Sequence, residues 1–225
     1  MVGPTPSKCS SATRATTTPR PSPRSARLRP DPRRLAFALD LPRATLVAVR
    51  RINVIGSSGS GKTTLARTLA ERLSLPHVEL DSLFHQPNWV PTETELFRSQ
   101  VTDATATEHW VIDGNYTVAR DILWSRADTV IFLDLPRWQV MRQLIPRSVR
   151  RVVTRERLWN GNRERWTNLT TLDPEHNPVV WSWKRHALQR VRYEAAVNDP
   201  AWDHLKFIRL RTRARIHDCA TGRMG

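Results

Sequence analysis

The sequence has few of the residues that hold a protein together through disulfides or cysteine-bound metal. Only two cysteines, Cys9 and Cys219, occur among the 225 residues, and they lie near opposite ends. This excludes a disulfide scaffold and a cysteine zinc cluster. No run approaches 18 consecutive apolar residues, so no membrane-spanning helix is predicted. We therefore expect a cytoplasmic protein with one apolar core, either a monomer or a homodimer.

The sequence also has fewer acidic than basic residues. Its 21 Asp+Glu and 36 Lys+Arg give a formal net charge of +15. Such a balance indicates a polyanionic partner, and nucleic acid is one candidate. The charge is divided unevenly along the chain. Residues 1–48 hold 9 basic and 2 acidic residues (+7), which leaves 27 and 19 (+8) for residues 49–225.

Residues 1–48 are rich in Pro, Arg, Ser and Thr, and contain eight of the 16 prolines. Such a segment buries too little apolar surface to fold, which predicts a disordered tail. Two other interpretations stay open: translation from a misplaced upstream start, with the native chain beginning near Val49, or an organellar targeting peptide. We expect the folded domain to span residues 49–225.

Short apolar runs alternate with helical patterns from residue 50 onward. Strands are predicted at 52–55, 77–80, 110–112, 129–133 and 207–210. Helices are predicted at 64–73, 94–106, 118–124, 138–158 and 180–196. This alternation is typical of an α/β fold, in which helices cover both faces of a parallel sheet.

Glycine is scarce, yet three of the eight glycines fall in one octet that matches the P-loop pattern G-x-x-x-x-G-K-[ST]. The octet follows a predicted strand and opens a helix, as a P-loop requires. Its backbone N–H groups would bind phosphate oxygens, with the lysine at the β and γ phosphates and the hydroxyl at Mg²⁺. The predicted nucleotide-binding residues are Gly56, Ser57, Ser58, Gly59, Ser60, Gly61, Lys62, Thr63 and Thr64.

Two aspartates that follow apolar strands, Asp113 and Asp134, are candidates for the second magnesium ligand beside Thr63. Asp113 precedes Gly114, which would allow a ligand close to the backbone. Asp134 precedes Leu-Pro, which leads into a helix and favours a capping role. The sequence favours Asp113 as the metal ligand.

Asp81 ends the second predicted strand. Ligands of open α/β sheets bind beyond the carboxyl ends of the strands, so Asp81 could orient an acceptor hydroxyl there. A helix-capping role is the alternative.

Nine arginines and two glutamates lie between Arg137 and Arg165, which predicts a lid at about residues 147–178. Guanidinium groups stabilise the charge of a transferring phosphoryl group. Arg151 and Arg155 are the leading candidates, followed by Arg147 and Arg150; a solvated basic face is the alternative. The nine tryptophans indicate core packing or stacking on a nucleobase, and Trp89 could wall the acceptor pocket.

These motifs together resemble small adenylate-kinase-like P-loop proteins, and specifically the group known as FlaR-type DNA topology modulation proteins. The resemblance covers residues 50–215 and rests on the P-loop, Asp81 with Trp89, the segment 112–116 and the segment 132–137. It implies a five-stranded parallel sheet of order 2-3-1-4-5, an arginine-bearing lid, and ATP with Mg²⁺.

Asp113-Gly114 looks like the Asp-Gly of nucleoside monophosphate kinases. Those enzymes continue with Phe-Pro-Arg, whereas this chain has Asn115-Tyr116-Thr117, with Arg120 nearby. The arginine that would bind an acceptor phosphate is therefore missing at that place. The expected acceptor pocket comprises Asp81, Trp89, Gly114, Asn115 and Tyr116.

The sequence thus predicts transfer of the γ-phosphate of ATP to a small acceptor, which could be a nucleotide. Lys62, Asp81, Arg151 and Arg155 are the predicted catalytic residues. The alternative is an ATP-dependent protein that binds nucleic acid or modulates DNA topology, without a small-molecule acceptor.

Overall fold

A computed structural model describes residues 50–174 and 177–223. In these residues one five-stranded parallel sheet has the order β2-β3-β1-β4-β5, which confirms the predicted α/β P-loop fold. The predicted tail, residues 1–48, lies outside the described residues. The strands are β1 (Arg51–Gly56), β2 (His77–Glu79), β3 (Trp110–Asp113), β4 (Thr129–Leu133) and β5 (Lys206–Leu210).

Eight α-helices are assigned within the described ranges. They are α1 (Lys62–Leu73), α2 (Leu80–Phe84), α3 (Thr94–Ala104), α4 (Arg120–Arg126), α5 (Arg137–Val153), α6 (Trp166–Thr170), α7 (Pro178–Val197) and α8 (Arg213–Thr221). Single 3₁₀ turns occur at Pro87–Trp89, Thr117–Ala119, Trp159–Gly161 and Pro200–Trp202. None of these helices combines the length and apolar character needed to cross a membrane.

The central strand β1 supplies side chains to two apolar cores, one on each face of the sheet. Ile52 and Val54 pack into the core beneath α1 and α8. Ile55 packs into the core beneath α3, α4 and α7. On that second face the Asn53 side-chain amide donates to the Ile112 carbonyl and accepts from the Trp124 indole, which satisfies a buried polar group. Burial on both faces explains why the strands read as continuous apolar runs.

Most element boundaries differ from the sequence prediction by one or two residues, and three differences affect the site or the core. Strand β2 ends at Glu79, and Leu80 begins a short helix because its side chain is fully buried in the second core. Helix α5 ends at Val153 instead of residue 158. Helix α8 was not predicted; its weakly amphipathic sequence places Cys219 in the first core.

Candidate active site

The P-loop runs from the end of β1 into α1, as predicted. Gly61 is the N-cap of α1 and has a φ of 96°, a left-handed conformation that favours glycine. A Cβ atom at Gly61 would meet no heavy atom within 4 Å, so this side of the loop is open. The Lys62 ammonium donates to the Ser57 carbonyl at 3.3 Å and so lies across the loop. Thr64 is exposed in the first turn of α1.

Helices α5 and α7 hold the outer side of the loop. Arg147 of α5 donates to Ser58 Oγ at 3.3 Å, and Ser182 of α7 donates to the Ser58 carbonyl at 3.0 Å. Ser57 Oγ donates to Gln189 Oε1 at 2.9 Å. The two loop serines therefore contact helices that follow the loop by some 90 to 130 residues, which no local sequence signal could indicate.

Thr63 and Asp113 meet where α1 begins and β3 ends. The Thr63 hydroxyl donates to Asp113 Oδ1 at 3.1 Å, and the other carboxylate oxygen lies 2.8 Å from His77 Nε2. A hydroxyl and a carboxylate are hard oxygen donors of the kind that Mg²⁺ prefers, so this pair fits the expected ion.

His77 escaped the sequence analysis because no metal-binding spacing surrounds it. Strand register explains its position: His77 pairs with Val111 and Glu79 pairs with Asp113, which puts their side chains on the same face of the sheet. One potential ligand atom from each of His77, Glu79 and Asp113 lies within 4.8 Å of the others. Glu79 is also bonded to Arg67 and to the Trp159 indole, so its charge is already partly compensated.

Asp134 occupies a different environment from Asp113. Its buried carboxylate lies 2.7 Å from Arg209 and 2.8 Å from Arg190, with Arg211 at 3.7 Å. These arginines come from β5, α7 and the segment after β5. Asp134 therefore ties the end of β4 to its neighbours, through ion pairs and not through the helix cap expected from its sequence context.

Gly114 has no side chain, which lets α2, the helix that carries Asp81, pack closely on the end of β3. A Cβ at Gly114 would lie 2.7 Å from the Leu80 Cβ, so only glycine allows α2 to pack this closely on the end of β3. Asp81, which follows Leu80, lies in the first turn of α2. The sequence predicted that Asp81 ends a strand, and this was wrong. Leu80, which is buried, begins the helix one residue before Asp81.

The Asp81 carboxylate faces both Tyr116 and the P-loop lysine. Tyr116 donates its hydroxyl to Asp81 Oδ1 at 2.6 Å. Burial, followed by the charge of Asp81, raises the pKa of Tyr116, so the phenol stays protonated as a donor. Burial lowers the pKa of Lys62, and the carboxylates of Asp81 and Asp113 oppose that effect. The sequence analysis identified all four residues of this group, and the structure brings them together. They are Lys62, Asp81, Asp113 and Tyr116.

Trp89 contacts the predicted lid. Its backbone N–H donates to Asn162 Oδ1 at 3.0 Å, and its indole N–H donates to the Arg163 carbonyl at 3.1 Å. The His85 ring lies 5.2 Å from the Trp89 ring and 6.0 Å from that of Trp159, between ring centroids. An aromatic cluster of His85, Trp89 and Trp159 therefore joins the lid to the segment after α2.

The lid arginines differ in what they touch. Arg147, ranked behind Arg151 and Arg155 on sequence, is the one in contact with the P-loop. Arg151 donates to Glu164 at 3.1 Å and lies near Glu156, whereas Arg155 is exposed and has a φ of 50°. Burial and the charge of Arg151 lower the pKa of Arg147. A catalytic role for Arg151 and Arg155 stays a prediction.

Asn115 lines a small cavity together with Arg120, Arg192 and Gln189, and Asp81 does not line this cavity. The Arg120 guanidinium lies 5.0 Å from the centroid of the Trp124 ring. Burial and the charge of Arg192 lower the pKa of Arg120.

No model of a known protein family matches this chain, and a search of curated proteins finds no significant match. Solved structures with the same architecture include shikimate kinase from Acinetobacter baumannii (17% identity, TM-score 0.49, covering 80% of this chain and 93% of that chain). Others are shikimate kinase from Aquifex aeolicus (18%, 0.46, 76% and 92%) and a gluconokinase from Sinorhizobium meliloti (14%, 0.41, 78% and 89%). At these identities and TM-scores the likeness carries no argument about function. The fold assignment rests on the strand order and the P-loop.

Proposed function

We propose that this chain is an ATP-dependent phosphotransferase that passes the γ-phosphate of ATP to a hydroxyl of a small acceptor. The observation that carries the proposal is the position of Asp81. Asp81 lies in the first turn of α2 and accepts from Tyr116 at 2.6 Å, and its charge opposes the lowering of the Lys62 pKa by burial. A carboxylate beside the P-loop lysine is suited to orient an acceptor hydroxyl.

Each residue then has a separable task. The loop N–H groups and Lys62 bind the β and γ phosphates, and Lys62 neutralises the charge that develops between them. Thr63 and Asp113 would hold Mg²⁺, with His77 fixing the orientation of the Asp113 carboxylate. When bound, the ion supplies positive charge to the phosphate oxygens. Asp81 accepts a hydrogen bond from the acceptor hydroxyl and orients its oxygen toward the γ-phosphorus.

Arg147 is the lid residue best placed to contact the transferring phosphoryl group, because it already bonds to Ser58 of the loop. The neighbouring lid segment covers the acceptor side and would limit transfer to water. Within this class, an adenylate-kinase-like chemistry and membership of the FlaR-type group are finer proposals. They rest on the residues 112–116 and 132–137 alone.

The test replaces Lys62 by alanine. We expect Lys62→Ala to keep the secondary structure and thermal unfolding of the parent protein but to lose ATP turnover by about 100-fold or more, since a charge aimed at the transition state is removed. Turnover is measured as ADP release and folding by circular dichroism. Lys184→Ala, which removes an exposed lysine of α7, is the matched control. A folded Lys62→Ala protein with parental turnover would refute the proposal.

A second candidate is the ATP-dependent binding of nucleic acid, favoured by one specific observation. Two exposed tryptophans on α7 are each covered by a guanidinium: Arg185 lies 3.9 Å from the Trp181 ring and Arg137 lies 4.6 Å from the Trp183 ring. Such pairs resemble the stacking platforms of single-strand binders. Salt-dependent binding of single-stranded DNA, abolished by Trp181→Ala and Trp183→Ala, would support this candidate.

A further inference from the structure

The acceptor side of the site is acidic and aromatic, and this composition limits what it can bind. Asp81 provides a carboxylate in the first turn of α2, and its Oδ1 already accepts from Tyr116. Among the described residues no donor is bonded to Oδ2. The single O–H of the phenol is used on Oδ1, so the pair offers hydrogen-bond acceptors, and a ligand hydroxyl can donate to Oδ2.

The basic groups near Asp81 are already committed elsewhere. The charge of Asp81 acts to raise the pKa of Lys62 and of Arg147, but both side chains contact the P-loop, where they face the phosphates of ATP. The same charge acts to raise the pKa of His85, but burial lowers that pKa by more, so the ring is neutral at pH 7. None of the described lysines or arginines forms an ion pair with Asp81. An acceptor phosphate would therefore meet a carboxylate without a cation of its own.

On sequence alone, Arg120 was the nearby basic residue that could bind an acceptor phosphate. It instead stacks on Trp124 and lies beside Arg192, in the small cavity that Asn115 lines. Among the described residues, Arg120 forms no ion pair or hydrogen bond with Asp81 or Tyr116. Arg120 therefore does not replace the arginine that the sequence lacks after Gly114.

The remaining wall of the acceptor side is aromatic. Phe84 lies 4.5 Å from the Tyr116 ring, and the aromatic cluster of His85, Trp89 and Trp159 continues the surface toward the lid. Rings of this kind pack against the C–H faces of sugars and the planes of bases, while a few polar groups fix orientation.

We propose that the acceptor is an uncharged polyhydroxyl compound of the sugar or nucleoside class and that it carries no phosphate before the reaction. This inference rests on the proposed phosphotransferase function. A hydroxyl oxygen of the acceptor forms a bond to the γ-phosphorus, and the bond from that phosphorus to the β–γ bridging oxygen breaks. ADP leaves with the electron pair. The hydroxyl proton passes to Asp81 and from there to water.

The experiment offers the full chain ATP, Mg²⁺ and two matched panels of acceptors. One panel contains hexoses, cyclitols and nucleosides; the other contains their phosphate monoesters, including the nucleoside monophosphates. ADP release and the phosphorylated product are both measured, and ATP affinity is measured separately. We expect acceptor-dependent ADP formation with members of the uncharged panel and at least tenfold lower kcat/KM with the corresponding monoesters.

Two variants separate the possible acceptor sites. Asp81→Asn is expected to lower kcat for the uncharged acceptor by about 100-fold or more, with unchanged ATP affinity, because a proton acceptor is lost. Arg120→Gln is expected to keep kcat/KM within about twofold. Tyr116→Phe preserves the Asp81 charge and should keep the preference for uncharged acceptors. The unchanged ATP affinity of Asp81→Asn guards against a folding defect in that variant.

The outcomes distinguish a wrong acceptor class from a wrong phosphotransferase function. Preferential phosphorylation of monoesters, with loss of activity in Arg120→Gln, would overturn the acceptor class and leave the phosphotransferase function intact. No acceptor-dependent ADP formation in either panel, by a protein that binds ATP, would overturn both.

Discussion

The contact between Gly114 and Leu80 makes a quantitative prediction about stability. In Gly114→Ala the new Cβ would lie 2.7, 2.8 and 2.9 Å from three atoms of the Leu80 side chain, which is fully buried. The φ of 140° adds backbone strain. Strain costs about 1–3 kcal/mol and overpacking about 1–3 kcal/mol, so the free energy of unfolding should fall by about 2–6 kcal/mol.

A matched control isolates the strain. Gly161 also has a left-handed backbone, with a φ of 78°, but a Cβ there would meet no heavy atom within 4 Å. Gly161→Ala should therefore cost only about 1–2 kcal/mol. Both variants are measured by guanidinium unfolding at 25 °C, followed by tryptophan fluorescence and extrapolated linearly to water.

A double-mutant cycle isolates the clash. Leu80→Ala alone should cost about 2–5 kcal/mol because it leaves a cavity. The double variant removes two of the three atoms that the new Cβ would strike, Leu80 Cδ1 and Cγ, and keeps the Cβ at 2.7 Å. Its loss should therefore be smaller than the sum of the single losses by about 1–2 kcal/mol. Additivity within about 0.5 kcal/mol would refute the steric explanation. A Gly114→Ala protein no less stable than Gly161→Ala would refute it independently.

Two further predictions concern buried groups away from the site. Burial raises the pKa of Cys219 from 9.0 to about 12, so in a Cys9→Ser background the native thiol at pH 8 should react with a disulfide reagent about 1,000-fold more slowly than in denaturant; equal rates would contradict its burial. Asp134→Asn should lower the free energy of unfolding by about 3–5 kcal/mol, because among the described residues buried Arg209 then keeps only the exposed Glu194 as an ion-pair partner. The folded fraction should bind Mg²⁺ and nucleotide normally by calorimetry, and weakened binding would mean that Asp134 acts on the metal.

The P-loop could be predicted because it depends on local sequence. Asp113 does lie beside Thr63, and its choice as the magnesium ligand stays a prediction. A glycine-rich turn between a strand and a helix has few other structures, and the resemblance supplied the order of the strands. Asp81 was predicted for its position but in the wrong element, because burial of Leu80 against Gly114 is a tertiary contact.

Other parts of the site depend on pairings between distant segments. His77 reaches Asp113 through strand register, and Arg147 reaches Ser58 across 89 residues. The spacing of these residues along the chain predicts neither contact. The arginine-rich segment predicted that some guanidinium would lie near the phosphates, but identical side chains a few residues apart differ only in the partners that the fold gives them.

The bonds between the lid and the segment after α2 bear on how the site opens. Asn160 donates to the carbonyls of Ser82 and His85, and Asn162 donates to that of Gln86. Three carbonyls of residues 82–86 thus accept from side chains of the predicted lid, whereas those of Leu83 and Phe84 accept from Thr92. Lifting the lid would leave the carbonyls of Ser82, His85 and Gln86 to water. We therefore expect the predicted lid and this segment to loosen together, which would couple the opening of the site to the order of its acceptor side.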